Sequence, residues 1–255
     1  MNDCLNSAGR ILFALAIAVF GVEHYLYAHN AIEIAPLWMP KAAWREYAAA
    51  VFLVVVSVAL LIKIKARTAA LLLGAALLLL FIIVHVPRLY AHPLDGIIRT
   101  RAFETLAIGG TALILSSVLQ GKDSAYHGPV DIWAKAGLFL IAICMVVFGV
   151  QHFMYALFIA TLIPAWIPGH LFLAYFTGVA FIAAGLSFLA RTKVRLTALP
   201  LALMFFLWVL VLHLPRAVAA RPNGDEWAST FVALAMGASA LLIAGTFSSS
   251  RRIAS

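Results

Sequence analysis

The chain repeats itself. Phe20-Gly21-Val22-Glu23-His24 recurs, 128 residues later, as Phe148-Gly149-Val150-Gln151-His152. The same offset carries Tyr27 onto Tyr155 and Pro36-Leu37-Trp38-Met39-Pro40 onto Pro164-Ala165-Trp166-Ile167-Pro168. It also carries Lys65-Ala66-Arg67 onto Lys193-Val194-Arg195, and His85-Val86-Pro87-Arg88 onto His213-Leu214-Pro215-Arg216. No gap is needed, so whatever the first half folds into, the second half must also accept.

What each half can fold into is narrowed by its apolar runs. Hydrophobic residues make up 65% of the chain and charged ones 11%, which places it outside the soluble globular range. A helix needs roughly 20 apolar residues to cross the hydrocarbon core. Eight stretches qualify, at about 8–28, 44–62, 68–87, 102–120, 136–156, 170–190, 196–215 and 228–247. Lipid leaves the backbone no outside partner, and nothing alternates as barrel strands do, so all eight are expected as helices. The expected fold is all-α and integral to the membrane, with eight transmembrane helices as two parallel four-helix-bundle repeats. Residues 1–121 form the first repeat, 122–131 a cytoplasmic linker, and 132–255 the second repeat with a short basic tail.

A net charge of +8 does not point to nucleic acid here, because the Lys and Arg residues sit in short loops between the spans. They read as orientation signals. With a cytoplasmic N-terminus the inner segments hold eleven of them and the outer loops seven, so both termini are expected inside. Four spans per half then give the two halves the same orientation and a pseudo-twofold axis along the membrane normal. The first run is expected to be a permanent span and not a signal peptide, since its copy lies mid-chain. Cys4 and Cys144 differ in depth, and no Cys-x-x-Cys pair equips the chain for dithiol chemistry.

Four histidines carry the functional expectation. His24 and His85 lie near the outer ends of the first and third spans, and His152 and His213 repeat them. Ionisable groups inside a membrane are costly and mostly face the bundle interior or a water-filled cavity. Tyr27 and Tyr155 follow three residues after His24 and His152, on the same helix face. Arg88 and Arg216 stand likewise to His85 and His213, although Pro87 and Pro215 are expected to end or unwind the helix between them. The expectation is one outer-leaflet pocket per half, built from two His, one Tyr and one Arg. Glu23 in the first is replaced by Gln151 in the second.

Several uses compete. The side chains can simply bond between helices and snorkel to headgroups. The pockets can bind a quinone or another isoprenoid head, with His and Tyr donating to a carbonyl oxygen. Two histidines on facing helices can ligate haem iron, although no spacing motif for another metal is present. A small-molecule or lipid transporter would need a polar route reaching the inner side, and no acidic or His residue lies deep in the inner half of a span. A structural subunit would need no ligand. Thr105/Gly109 and Ala233/Gly237 offer small-residue pairs for close helix packing, either at a seam between the halves or in ordinary bundle contacts.

The Phe-Gly-x-x-His end of the first span, the Pro-x-Trp-x-Pro loop and the following Thr177-Gly178-Val179-Ala180-Phe181-Ile182-Ala183-Ala184-Gly185-Leu186 resemble the DoxX-like membrane proteins. The likeness runs from about Gly137 to Arg216, and reaches the first half through the repeat. It implies a four-helix unit of bacterial inner membranes, some of whose members accompany quinone-linked sulfur or terminal oxidation with a redox partner protein. Two departures stand out. The family is typically one such unit, whereas two are fused here as if to replace a homodimer, and a Glu common in the second span is Phe181. No catalytic residue is carried over from the resemblance.

Overall fold

The computed structural model describes residues 1–28, 43–120, 131–221 and 223–247. They form α1 (Asn2–Leu26), α2 (Trp44–Ile62), α3 (Ala66–Ala91), α4 (Gly96–Val118), α5 (Ile132–Met154), the short α6 (Ala156–Leu162), α7 (His170–Ala190), α8 (Val194–Ala219) and α9 (Gly224–Thr246). No strand occurs among the described residues. Seven of these helices, all but α4 and α6, are long and apolar enough to cross a membrane. The protein is therefore an all-α, multi-pass membrane protein. The first Pro-x-Trp-x-Pro loop, the linker at 121–130 and the basic tail lie outside the described residues.

The helix expected at 102–120 begins at Gly96, and so takes in Arg99 and Arg101 ahead of Glu104. These charges keep α4 below the apolarity of the other seven. Its surroundings explain why that is tolerated: every residue from Leu106 to Ser116 is buried in protein, so this stretch has no lipid face to keep greasy. Helix α9 is nearly as enclosed, and the two touch where Thr111 and Ser239 bring their hydroxyl oxygens to 2.5 Å. The other spans form two arcs, α1–α2–α3 and α5–α7–α8, each closed by this central pair. Helix α1 packs on α2 and α9, α3 on α2 and α4, α5 on α4 and α7, and α8 on α7 and α9. Large apolar side chains such as Val55, Leu72, Phe172 and Leu203 point outward from the arcs.

Lipid tails are as apolar as leucine, so helices in a membrane are held by close fit and by internal hydrogen bonds rather than by water exclusion. The fit occurs twice. A Cβ on Gly21 would stand 3.0 Å from the Ala50 carbonyl oxygen, and one on Gly149 would stand 2.7 Å from that of Gly178. A Cβ on Gly9 would meet the Ala238 oxygen at 3.0 Å, and one on Gly137 would meet the Gly110 oxygen at 2.2 Å. The second pair joins the first helix of each sequence copy to the last helix of the other. Gly109 and Gly237, by contrast, face Leu77 and Phe206 inside their own halves, so the seam between halves lies elsewhere on α4 and α9.

Polar bonds secure individual joints. Buried Ser57 donates to the Ala14 carbonyl at 2.7 Å. Buried Arg10 donates to the Leu60 and Leu61 carbonyls, which are left open at the C-terminus of α2. The α2–α3 and α7–α8 turns are each made by two residues in the left-handed region, Lys63 and Lys65, then Arg191 and Lys193.

Proline does not end α3 or α8. Each helix widens into a π turn, Phe81–His85 and Val209–His213, and then runs on through Pro87 to Ala91 or through Pro215 to Ala219. A proline ring crowds the carbonyl four residues back and offers it no donor, and a widened turn just before the proline accommodates both effects. Both histidines sit at the last position of such a turn.

Candidate functional site

The eight predicted residues all lie at one end of the bundle, but the structure engages them separately. At the end of α1, His24 Nδ1 lies 2.7 Å from Glu46 Oε2 on the first turn of α2. Its second-half counterpart has no such partner, because Ala174 stands where Glu46 would be. His152 turns its Nδ1–H back to the Phe148 carbonyl at 2.8 Å and sets its ring edge-on to Phe181, 5.0 Å away.

The tyrosines cross between the halves. Tyr155 lies over Gly96, where a Cβ would stand 2.9 Å from its ring, and its hydroxyl donates to the Leu94 carbonyl at 3.3 Å. Tyr27 lies over Gly224 in the same way, at 2.7 Å. Glycine is required at both helix starts because the ring occupies the side-chain position. Gln151 adds a further tie, donating to the Gly96 carbonyl at 3.2 Å and to Thr100 at 3.0 Å.

His85 and His213 diverge as well. Thr105 lies 2.9 Å from the Arg101 carbonyl and 3.1 Å from His85 Nε2; when it gives its single hydrogen to the carbonyl, His85 Nε2–H is the donor across the second contact. The residue matching Thr105 is Ala233, and His213 Nδ1 is buried with no partner. Arg216 binds Glu226 at 2.6 Å, whereas Arg88 makes no hydrogen bond or ion pair among the described residues. Arg101 crosses from α4 to α9 and binds Asp225 at 2.6 Å.

A cleft among the described residues opens at this end. It measures about 720 Å³ and lies between α6 with the loop after it, the start of α7, and the last turns of α8. Leu162, Ile163, Leu212 and Pro215 give it apolar walls, and Thr161, His170 and Arg216 supply the polar groups. Of the eight predicted residues Arg216 is on this wall, while His152, Tyr155 and His213 are not among the lining residues. The loop is the second Pro-x-Trp-x-Pro segment, an irregular turn. Ile167 N–H donates to the Pro164 carbonyl at 3.0 Å, Gly169 takes a φ of +75°, and Trp166 is exposed. His170 also bonds the Pro164 carbonyl at 3.1 Å and so holds the loop against α7.

No protein family, no curated protein and no solved structure matches the chain.

Sequence reasoning missed His170 and Thr161. Ala42 replaces His170 in the first copy, so a search for repeated residues passes over it; its signal is a lone histidine opening a span directly after Pro168-Gly169. No group of three or more metal-ligating side chains occurs among the described residues.

Proposed function

We propose that the protein is a DoxX-like subunit of the bacterial inner membrane that binds an isoprenoid quinone or a related lipid head for a membrane redox partner. It is built from two parallel four-helix repeats with both termini cytoplasmic. The eight-span reading is supported by the length and enclosure of α4, and the repeat by contacts that recur at the sequence offset. The orientation rests on the basic residues of the α2–α3 and α7–α8 turns, which lie at the end opposite the histidines.

The cleft at Arg216 carries the ligand reading. Its walls suit an apolar body, and its polar groups are few and gathered at one end, which is how small-molecule sites fix orientation. His170 Nε2 and the Thr161 hydroxyl are already committed to the Pro164 and Phe158 carbonyls. Arg216 keeps N–H groups beyond the one given to Glu226, and is the donor for a ligand carbonyl. A quinone held there would supply two-electron carrier chemistry; the chain itself supplies a donor and apolar walls.

The test is a preparation in mild detergent, extracted for quinones and lipids and read by visible spectrum with and without dithionite. About one quinone per chain is expected, falling several-fold in Arg216→Gln and unchanged in Arg88→Gln. A preparation with no quinone, or equal retention in Arg216→Gln, overturns the reading, and a Soret band would replace it with haem.

A further inference from the structure

The repeat supplies an internal control for each charged side chain, and one arginine fails it. Arg216 and Arg88 occupy matched positions, three residues after a histidine that closes a π turn. Arg216 is neutralised by Glu226, the third residue of α9. The third residue of α4, which matches it, is Ile98. Arg88 is thus a half-buried guanidinium at the end of a membrane helix without the carboxylate that its twin possesses.

Among the described residues, the other acids at this end do not fill the gap. Asp95 accepts the N–H groups of Ile97 and Ile98 as the helix cap, and Asp225 is taken by Arg101. Glu104 lies beside Arg101, and Glu46 is bonded to His24. His85, the neighbour that feels the charges of both Arg88 and Arg101, has its Nε2 turned to Thr105. Arg88 therefore sits in the last turn of α3 at the membrane-interface end, with Arg101 as a second positive charge acting on the same histidine.

We infer that Arg88 binds a phosphate group, and that this is the phosphodiester of an anionic phospholipid. Guanidinium offers paired, parallel N–H donors that match two phosphate oxygens. Where the second half has Glu226 the first has Ile98, an apolar side chain that offers no counter-ion and is compatible with acyl chains. The site is separate from the cleft at Arg216, and the Arg88 and Ile98 variants read it whatever that cleft holds.

The test uses the full chain in detergent, examined by native mass spectrometry with dioleoyl phosphatidylglycerol and, separately, dioleoyl phosphatidylcholine. One phosphatidylglycerol that survives collisional activation is expected, with phosphatidylcholine retained about tenfold less. Ile98→Glu, which installs the carboxylate of the second half, should reduce phosphatidylglycerol retention about tenfold, as should Arg88→Gln. Glu226→Ile should create a second lipid adduct at Arg216. Thermal unfolding of each variant guards against misfolding, and the gain of an adduct in Glu226→Ile cannot arise from it. Unchanged retention in Ile98→Glu, or equal retention of the two lipids, overturns the assignment. Inorganic phosphate should fail to displace the lipid; displacement at millimolar phosphate would overturn the lipid as the source.

Discussion

Single atoms decide how closely the helices approach, and glycine marks where. Gly137 has the least room against a neighbouring backbone, since any side chain there enters the Gly110 carbonyl. Gly137→Val is expected to lose about 3 kcal/mol or to fail to yield monodisperse protein, because neither backbone can retreat without breaking the α4–α5 seam. Gly109→Ala is the control. Its Cβ would stand 3.4 Å from the nearest side-chain atom, an ordinary contact, and thermal unfolding in detergent should shift little. The motif Phe-Gly-x-x-His was visible in the sequence, but the partner of each glycine was not. Gly21 and Gly149 were legible as repeated; that they meet Ala50 and Gly178 depends on which helices become neighbours. The same limit applies to the histidines. Their depth could be counted along the spans, whereas two of their side-chain partners, Glu46 and Thr105, come from positions that differ between the copies.

At the scale of elements, the spans at 44–62 and 170–190 were readable to the residue because charged or proline-rich segments bound them. The others begin two to six residues sooner than their apolar runs, since a helix end in protein or at an interface tolerates polar residues that a hydropathy window excludes. The π turns were not legible at all. Proline predicted a break, and the break was absorbed by widening one turn. The α2–α3 and α7–α8 connections store strain instead. Non-glycine residues in the left-handed region cost on the order of 1 kcal/mol each. Lys63→Gly and Arg191→Gly should therefore each raise thermal stability by about 0.5–1 kcal/mol, measured by unfolding in detergent; a loss of stability would show that these side chains hold the turn by contacts of their own.

For the whole molecule, the repeat in the sequence announced two similar halves but not how they join. The first helix of each copy packs on the last helix of the other, with Tyr27 and Tyr155 laid across the helix starts Gly224 and Gly96. Such an arrangement is that of an isologous dimer made continuous. Cleavage at a protease site inserted between residues 120 and 131 is accordingly expected to leave the two pieces bound, co-eluting in a single peak on size exclusion in mild detergent. Separation of the pieces would mean that the covalent link, and not the crossed seam, holds the halves together.

At the centre of that seam Thr111 faces Ser239, its own counterpart in the other copy. Each hydroxyl is also within 2.8 Å of the carbonyl four residues back, at Ala107 and Ala235. Three acceptor contacts therefore compete for two hydrogen atoms. If Thr111 gives its proton to Ser239, the Ala107 oxygen goes without; if Ser239 gives, the Ala235 oxygen does. A pair of separate, identical chains would meet the same shortage with no preference between the two choices. Here a threonine opposes a serine, and the molecule can settle on one side, so a single hydrogen gives left and right to an architecture otherwise written twice.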